Sequence, residues 1–273
     1  MDFSNYTIVT DLDGTLLHRG SLPSKNAAAV EAFVKGGGRF TIATGRNHVS
    51  VLNAIPDVAK RLTAPAILCN GTYFYDFEEQ ELLDEVCFTP EQARRLLSFA
   101  KTYFPNVPFR VSVLEGFRCE RIQGYLEHDV LDYGPSAVHL SPADTWPLHD
   151  WYKLVFRDEA EKLAPIRALF EKKMGDSGIA TFATDKHILE MQSECCNKGN
   201  GLKWVRDRLP HRGGRVIACG DYENDLEMLK AADVAICPAN ASDEVKRVSH
   251  HVLCHCSEGL MGEVLKLIEE GKI

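Results

Sequence analysis

The chain has no apolar run near the ~20 residues that a membrane-spanning helix needs, so no membrane partner is expected. It has no basic surplus either. Its 31 Lys and Arg stand against 39 Asp and Glu, a net charge of −8. A general nucleic-acid binder would show a basic face or stripe, so nucleic acid is not an expected partner. The start, Met1-Asp2-Phe3-Ser4, is acidic and lacks the basic head and apolar core of a secretory leader. There is no internal repeat and no low-complexity stretch. The nine cysteines are odd in number and show no framework spacing, so a reduced, cytoplasmic protein is expected rather than a disulfide scaffold.

What remains is ordinary globular composition: 45% hydrophobic and 26% charged residues over 273 positions, enough for one large or two modest domains. The first third alternates strand and helix. Tyr6 to Thr10 is a buried strand, and Ser24 can cap a helix that runs to Val34 and ends at Gly36-Gly37-Gly38. Phe40 to Ala43 is a second strand, followed by a short helix, and Pro65 to Cys69 is a third. That alternation implies a parallel sheet with helices on both faces.

The middle differs. A hairpin over 73–86 and a helix from Pro90 to about Tyr103 come first. Then follow strands at 109–113 and 151–156, a short helix near 122–131 and a helix at about 159–173. Two strands, 179–184 and 188–192, flank Asp185-Lys186. This is an α+β segment with a mainly antiparallel sheet, read as a domain over 86–191 inserted into a discontinuous core of 1–85 and 192–273. After Lys198 the alternating pattern resumes. Its strands are expected at 215–219, 234–236 and 251–253, with helices from 201, near 243–248 and from 258.

Four short segments fall at strand ends or helix starts: Asp11-Leu12-Asp13-Gly14-Thr15, Thr44-Gly45-Arg46, Lys198-Gly199, and Gly220-Asp221-Tyr222-Glu223-Asn224-Asp225. C-terminal strand ends share one edge of a parallel sheet, so three of the four meet there, and Lys198 can reach the same edge. Carboxylates with water suit Mg²⁺, a hard cation that takes oxygen ligands. Thr44, Lys198 and backbone N–H groups suit phosphate oxygens. An anionic substrate would have to be drawn in by such local cations or a metal against the overall negative field.

As a set, DLDGTLL at 11–17, TGR at 44–46, NG at 70–71, NKGNGL at 197–202 and GDYEND at 220–225 resemble the haloacid-dehalogenase (HAD) superfamily of phosphohydrolases. The likeness is to its Cof-type subfamily and covers essentially the whole chain. It implies a Rossmann-like α/β core with a large inserted α+β cap of the C2 type. It also implies a Mg²⁺-dependent phosphatase that acts on small phosphorylated metabolites, sugar phosphates foremost, through an aspartyl-phosphate. By motif position Asp11 resembles the nucleophile. Asp13 resembles the general acid/base and also gives its main-chain carbonyl to the metal. Thr44, Gly45, Arg46, Lys198 and Asn224 resemble the phosphate-binding group. Asp221 resembles the second metal carboxylate, with Asn224 and Asp225 in support. Asp13 would need to start protonated, with neighbouring carboxylates and burial raising its pKa. Cys237-Pro238-Ala239-Asn240-Ala241 departs from the family's Gly-Asn-Ala turn, and Pro238 cannot donate a backbone hydrogen bond there. A phosphohexomutase and a non-catalytic phosphate sensor are the alternative functions. A monomer or weak homo-oligomer is expected.

Other features read as structural. His250, His251, Cys254, His255 and Cys256 have the residue types of a zinc site, but no second ligand group at suitable spacing accompanies them. Cys195-Cys196 reads as an idle vicinal pair. Arg110, Arg118, Arg121 and Lys153 read mostly as solvated surface charges.

Overall fold

A computed structural model describes residues 1–273, with only the backbone of Arg212. The first strand, β1 (Tyr6–Thr10), is buried on both faces, as a central parallel strand must be. Helix α1 (Ser24–Lys35), strand β2 (Arg39–Ile42), helix α2 (His48–Ala54) and strand β3 (Ala66–Leu68) follow, and β4 (Tyr73–Asp76) and β5 (Glu81–Glu85) form a hairpin. Pro23, not Ser24, holds the N-cap position of α1, and no side chain caps that helix. Ser24 is instead its first helical residue, because fixed φ at Pro23 already sets the entry.

The inserted segment runs α3 (Pro90–Tyr103), β6 (Phe109–Val113), β7 (Gly116–Cys119), α4 (Leu126–Tyr133), β8 (Val138–Leu140), β9 (Lys153–Arg157), α5 (Ala160–Met174), β10 (Ile179–Asp185) and β11 (Ile188–Ser193). Thr89 and Gln92 form a reciprocal capping box with Pro90 in the first turn, which is why α3 begins where the sequence says. Two strands, β7 and β8, are absent from the sequence reading. Both are short, three or four residues each, too brief for their pattern to mark a strand before pairing with β6 and with each other is known.

The chain then returns with α6 (Lys198–Arg208), β12 (Arg215–Cys219), α7 (Leu226–Ala231), β13 (Val234–Pro238), α8 (Asp243–Val248), β14 (His251–Leu253) and α9 (Leu260–Glu269). Asn197 caps α6, its side chain accepting from Asn200 N at 2.8 Å. A 3₁₀ turn over Cys256–Glu258 takes the place expected for the start of α9.

These elements divide into two units. The first comprises Met1–Gly45, Ala54–Asp84 and Asn197–Ile273, and the second Arg46–Asn53 and Glu85–Cys196. In the first, five strands form a wholly parallel sheet in the order β14-β13-β12-β1-β2. A parallel bridge from Ala43 to Ile67 extends the pairing to β3, which also forms an antiparallel sheet with β4 and β5. The core of this unit packs Val9, Ile67, Ala218 and Ala235 of the sheet against Leu202, Val205, Met228 and Val245 of the helices. The second unit holds a six-stranded sheet, β10-β11-β9-β6-β7-β8, antiparallel except for β7 with β8. Its separate core includes Leu96, Phe99, Leu154, Phe156, Ile166 and Phe170. No helix among the described residues is long and apolar enough to cross a membrane.

Candidate active site

Strand β1 ends at Asp11, whose N–H donates to Cys219 O on the neighbouring β12 at 2.8 Å. The chain must then turn away from the sheet. Gly14 makes that possible: its φ is +83°, and a Cβ there would lie 2.4 Å from Asp221 Oδ2. The turn thus lets the first acidic segment approach the segment after β12. Thr15 Oγ1 closes the contact by donating to Asp221 Oδ1 at 2.8 Å. The bare backbone of Gly220 plays a matching part, since a Cβ there would lie 2.5 Å from Asp225 Cβ.

Lys198, the first residue of α6, is fully buried. Its ammonium donates to Asp11 Oδ1 at 2.5 Å and to Asp225 Oδ1 at 2.6 Å. Asp225 is locked in turn, because its Oδ2 accepts from the N–H groups of Asp221 and Tyr222 at 2.9 and 3.1 Å. Burial works against the Lys198 charge, but Asp11 and Asp225 outweigh it and hold its pKa above the ordinary value. Burial also raises the Asp11 carboxyl well above its usual range. Lys198 opposes that rise, while Asp225, Asp221 and Asp13 add to it. Burial, then the Asp225 charge, pushes Asp221 up to about 7. One buried ammonium therefore serves a cluster of carboxylates it cannot neutralise.

Asp11, Asp221 and Asp225 each place a carboxylate oxygen within 4.8 Å of the others. This all-oxygen donor set fits a hard cation such as Mg²⁺, and the Asp11 and Asp221 carboxyls are raised first by burial and then by neighbouring carboxylates, a cost that a cation would offset. With both Asp225 oxygens already accepting hydrogen bonds, Asp11 and Asp221 are the better-placed ligands and Asp225 orients their surroundings.

The remaining sequence candidates divide. Thr44 is buried at the end of the second strand, its N–H bonded to Ile67 O and its carbonyl to Asn70 N, with Gly45 directly after it. Asn224 is buried and donates to Asn70 Oδ1 at 3.0 Å. Asp13 is exposed, so the burial expected around it lies around Asp11 instead. Arg46 belongs to the second unit, where its guanidinium donates to Ser50 Oγ at 2.8 Å and lies 3.7 Å from Asp132.

Three contributors were missed as site residues. Thr15 sits inside the DLDGT segment and Asn70 inside the NG pair, so the signal was present but unassigned. Asn70 adopts a left-handed backbone (φ 57°), a conformation Asn tolerates better than most residues. Asn240 donates to Gly14 O at 2.8 Å, bracing the acidic turn from the segment after β13. Beyond Pro238, Ser242 N donates to Asp221 O at 2.9 Å.

A parallel α/β sheet with carboxylates, a buried lysine and a hydroxyl gathered at its C-terminal edge defines a hydrolase core of the phosphoryl-transfer kind. The family model for haloacid dehalogenase-like hydrolases matches residues 8–261, and the chain belongs to that family. It is 26% identical over 276 residues to the pyridoxal phosphate phosphatase YbhA of Escherichia coli K12, covering 90% of this chain and 92% of that protein. It is 25% identical over 263 residues to the chloroplastic endoribonuclease YBEY of Arabidopsis thaliana. That match covers 89% of this chain but spans only 43% of the plant protein's length. A solved haloacid dehalogenase-like hydrolase from Bacteroides thetaiotaomicron superposes with a TM-score of 0.79 at 21% identity, over 96% of this chain and 98% of that one. That likeness shows the same fold, a parallel-sheet core with a cap domain.

Proposed function

We propose that the protein is a Mg²⁺-dependent phosphatase that hydrolyses small phosphomonoesters, with sugar phosphates as the leading class, through an aspartyl-phosphate on Asp11. The observation that carries this reading is the buried Lys198 ammonium held between Asp11 and Asp225, with Asp221 beside them. A carboxylate attacks a phosphate dianion poorly because both are negative. Lys198 and the hydroxyl of Thr44, with the Gly45 N–H, would hold the phosphate oxygens and take up charge in the transition state. Mg²⁺, held by Asp11, Asp221 and the Asp13 carbonyl with Asn224 and Asp225 in support, would supply further neutralisation of those oxygens.

In the first step an Asp11 oxygen bonds to phosphorus as the ester P–O bond breaks, and Asp13 gives its proton to the leaving alkoxide. In the second, Asp13 takes a proton from water as that water attacks phosphorus, the Asp11–phosphorus bond breaks, and inorganic phosphate leaves. The exposure of Asp13 suits a group that meets both the departing alcohol and incoming water. The Arg46 side chain is not carried into the reading, because its guanidinium is engaged by Ser50 and Asp132. Residues 1–85 and 192–273 would carry the chemistry, and 86–191 would act as the cap that chooses the leaving group. The relative that acts on pyridoxal phosphate supports a small phosphorylated metabolite as substrate.

The test is a panel of phosphorylated metabolites scored for free phosphate and for isomerised product, with and without Mg²⁺. Free phosphate that depends on Mg²⁺ and on Asp11 is expected. Full turnover by Asp11→Asn, or after exhaustive chelation, would overturn the reading, and isomerised product without phosphate would replace it with a mutase.

A further inference from the structure

The cysteine–histidine group near the C-terminus lacked a second set of ligands in the local sequence. The fold supplies one from far away. His18, just past the first acidic turn, lies beside His255 and Cys256, which precede α9, and all three belong to the first unit. One ligand atom of each lies within 4.8 Å of the other two. Cys256 Sγ is 3.6 Å from His18 Nδ1 and 3.8 Å from His255 Nδ1, and the two imidazoles meet edge to face at 5.6 Å. Zinc held tetrahedrally, with Zn–N near 2.0–2.1 Å and Zn–S near 2.3 Å, sets its sulfur and nitrogen ligands about 3.5 Å apart. The observed separations are already close to that value.

We propose that His18, His255 and Cys256 form a binding site for Zn²⁺, with three protein ligands and a fourth position open to water, distinct from the carboxylate cluster. The donor chemistry separates the two places. Two imidazoles and a thiolate select a borderline-soft cation, whereas an all-carboxylate set selects Mg²⁺. The surroundings support a fixed geometry. His255 Nδ1 accepts from Ser257 N at 3.2 Å, with Ser257 Oγ 2.8 Å away, so it carries no proton and is the nitrogen that faces Cys256 Sγ; zinc there would take the place of these hydrogen bonds. Cys256 is buried, and its N–H donates to Asn240 Oδ1 at 3.0 Å. Binding replaces the thiol proton with the metal, so each zinc bound releases one proton to solvent.

Asn240 gives the site a path to the chemistry. The same side chain that accepts from Cys256 N donates to Gly14 O, one residue beyond Asp13. Zinc at Cys256 would therefore stiffen the segment that braces the acidic turn.

The experiment uses the reduced full-length protein with saturating Mg²⁺ to occupy the carboxylates and Co²⁺ as the optical probe. Stoichiometric Co²⁺ should produce a thiolate-to-cobalt charge-transfer band that Zn²⁺ abolishes. Cys256→Ser should remove the band, His18→Ala should weaken Co²⁺ binding by more than about tenfold, and Cys254→Ser should keep the band. Because His18 is only half-buried, its variant keeps the test decisive if Cys256→Ser fails to fold. No band in the unaltered protein, a band that survives both Cys256→Ser and His18→Ala, or its loss in Cys254→Ser would each overturn the proposal. The readout is optical, so its failure leaves the phosphatase reading untouched, and loss of phosphatase activity leaves the zinc site untouched.

Discussion

Both units bury charge, but they treat it differently. In the second, the buried charges are matched. Asp129 accepts from Arg110 Nε at 2.8 Å and also from Arg157 Nη1, while Lys153 donates to Glu190 at 2.5 Å. Arg110 also lies over the rings of Phe117 and Tyr133, which hold it in place. Arg110 and Lys153 are thus not the solvated surface charges their residue types suggest; of the four cap cations, Arg121 alone is exposed. In the first unit, Lys198 faces Asp11 and Asp225 with Asp221 close by, and the acids are in excess. Matched charges rigidify a core. Unmatched carboxylates raise one another's pKa and leave a place that a cation completes. Buried charge alone does not mark a site, but its imbalance does.

The largest expected effect comes from removing the carboxylate that the proposal makes the nucleophile. Asp11→Asn should lower turnover by about 10⁴-fold or more. It also removes one acid from an over-acidic cluster, so its metal-free melting temperature should hold or rise. A fall in both activity and stability would mean that the cluster is matched after all.

Next come the groups that hold each unit's buried ions in place. Lys198→Met leaves Asp11 and Asp225 buried without their ammonium and should cost about 3–5 kcal/mol, read by denaturant unfolding. In the second unit, Asp129→Asn strands Arg110 and Arg157 and should cost a similar ~3–5 kcal/mol. The two should differ in their response to Mg²⁺, which should stabilise Asp129→Asn as much as the unaltered protein but Lys198→Met to a different extent.

The pH dependence follows from Asp221, whose carboxyl burial and Asp225 push up to about 7. Without metal, the folded state holds a proton on this group that the unfolded chain has released. Stability from Asp221 is therefore full below its unfolded value of 3.8 and is lost as pH rises through about 7. Asp11, raised in the same direction, adds to the trend. The metal-free melting temperature should fall by several degrees between about pH 5 and about pH 8. Mg²⁺ should flatten that fall by binding the ionised carboxylates, and Asp221→Asn should weaken it. A metal-free protein whose melting temperature rises over this window would contradict the picture of surplus carboxylates.

Smaller effects sharpen the local geometry. Gly14→Ala forces a side chain into a left-handed backbone and against Asp221 Oδ2, and should cost about 1–3 kcal/mol and reduce turnover. Asn197→Ala removes only the N-cap that starts α6 at Lys198, and should cost about 1 kcal/mol.

Much of the fold was legible because it follows from local chemistry. The alternating strands and helices of the first unit, the capping box that opens α3, and the glycine turn after the first DxD are written in neighbouring residues. What was not legible depends on partners far along the chain. β7 and β8 become strands only by pairing. Arg46 reads as part of TGR, yet Asp132 and Ser50 engage it. Burial was assigned to Asp13, but a residue's depth is set by what packs over it, and here that residue is Asp11.

The two acids of Asp11-Leu12-Asp13, the lysine that opens α6 and the acids of the GDYEND segment determined by themselves that groups suited to a hard cation and to phosphate oxygens meet in this chain, because strand ends and helix starts bring such residues to one sheet edge. Only the tertiary structure decided how those charges balance, and that His18 meets Cys256 across a separation of 238 residues. Sequence sets which groups are available, while pKa and ligand geometry depend on distances of a few ångströms that only the packed chain defines.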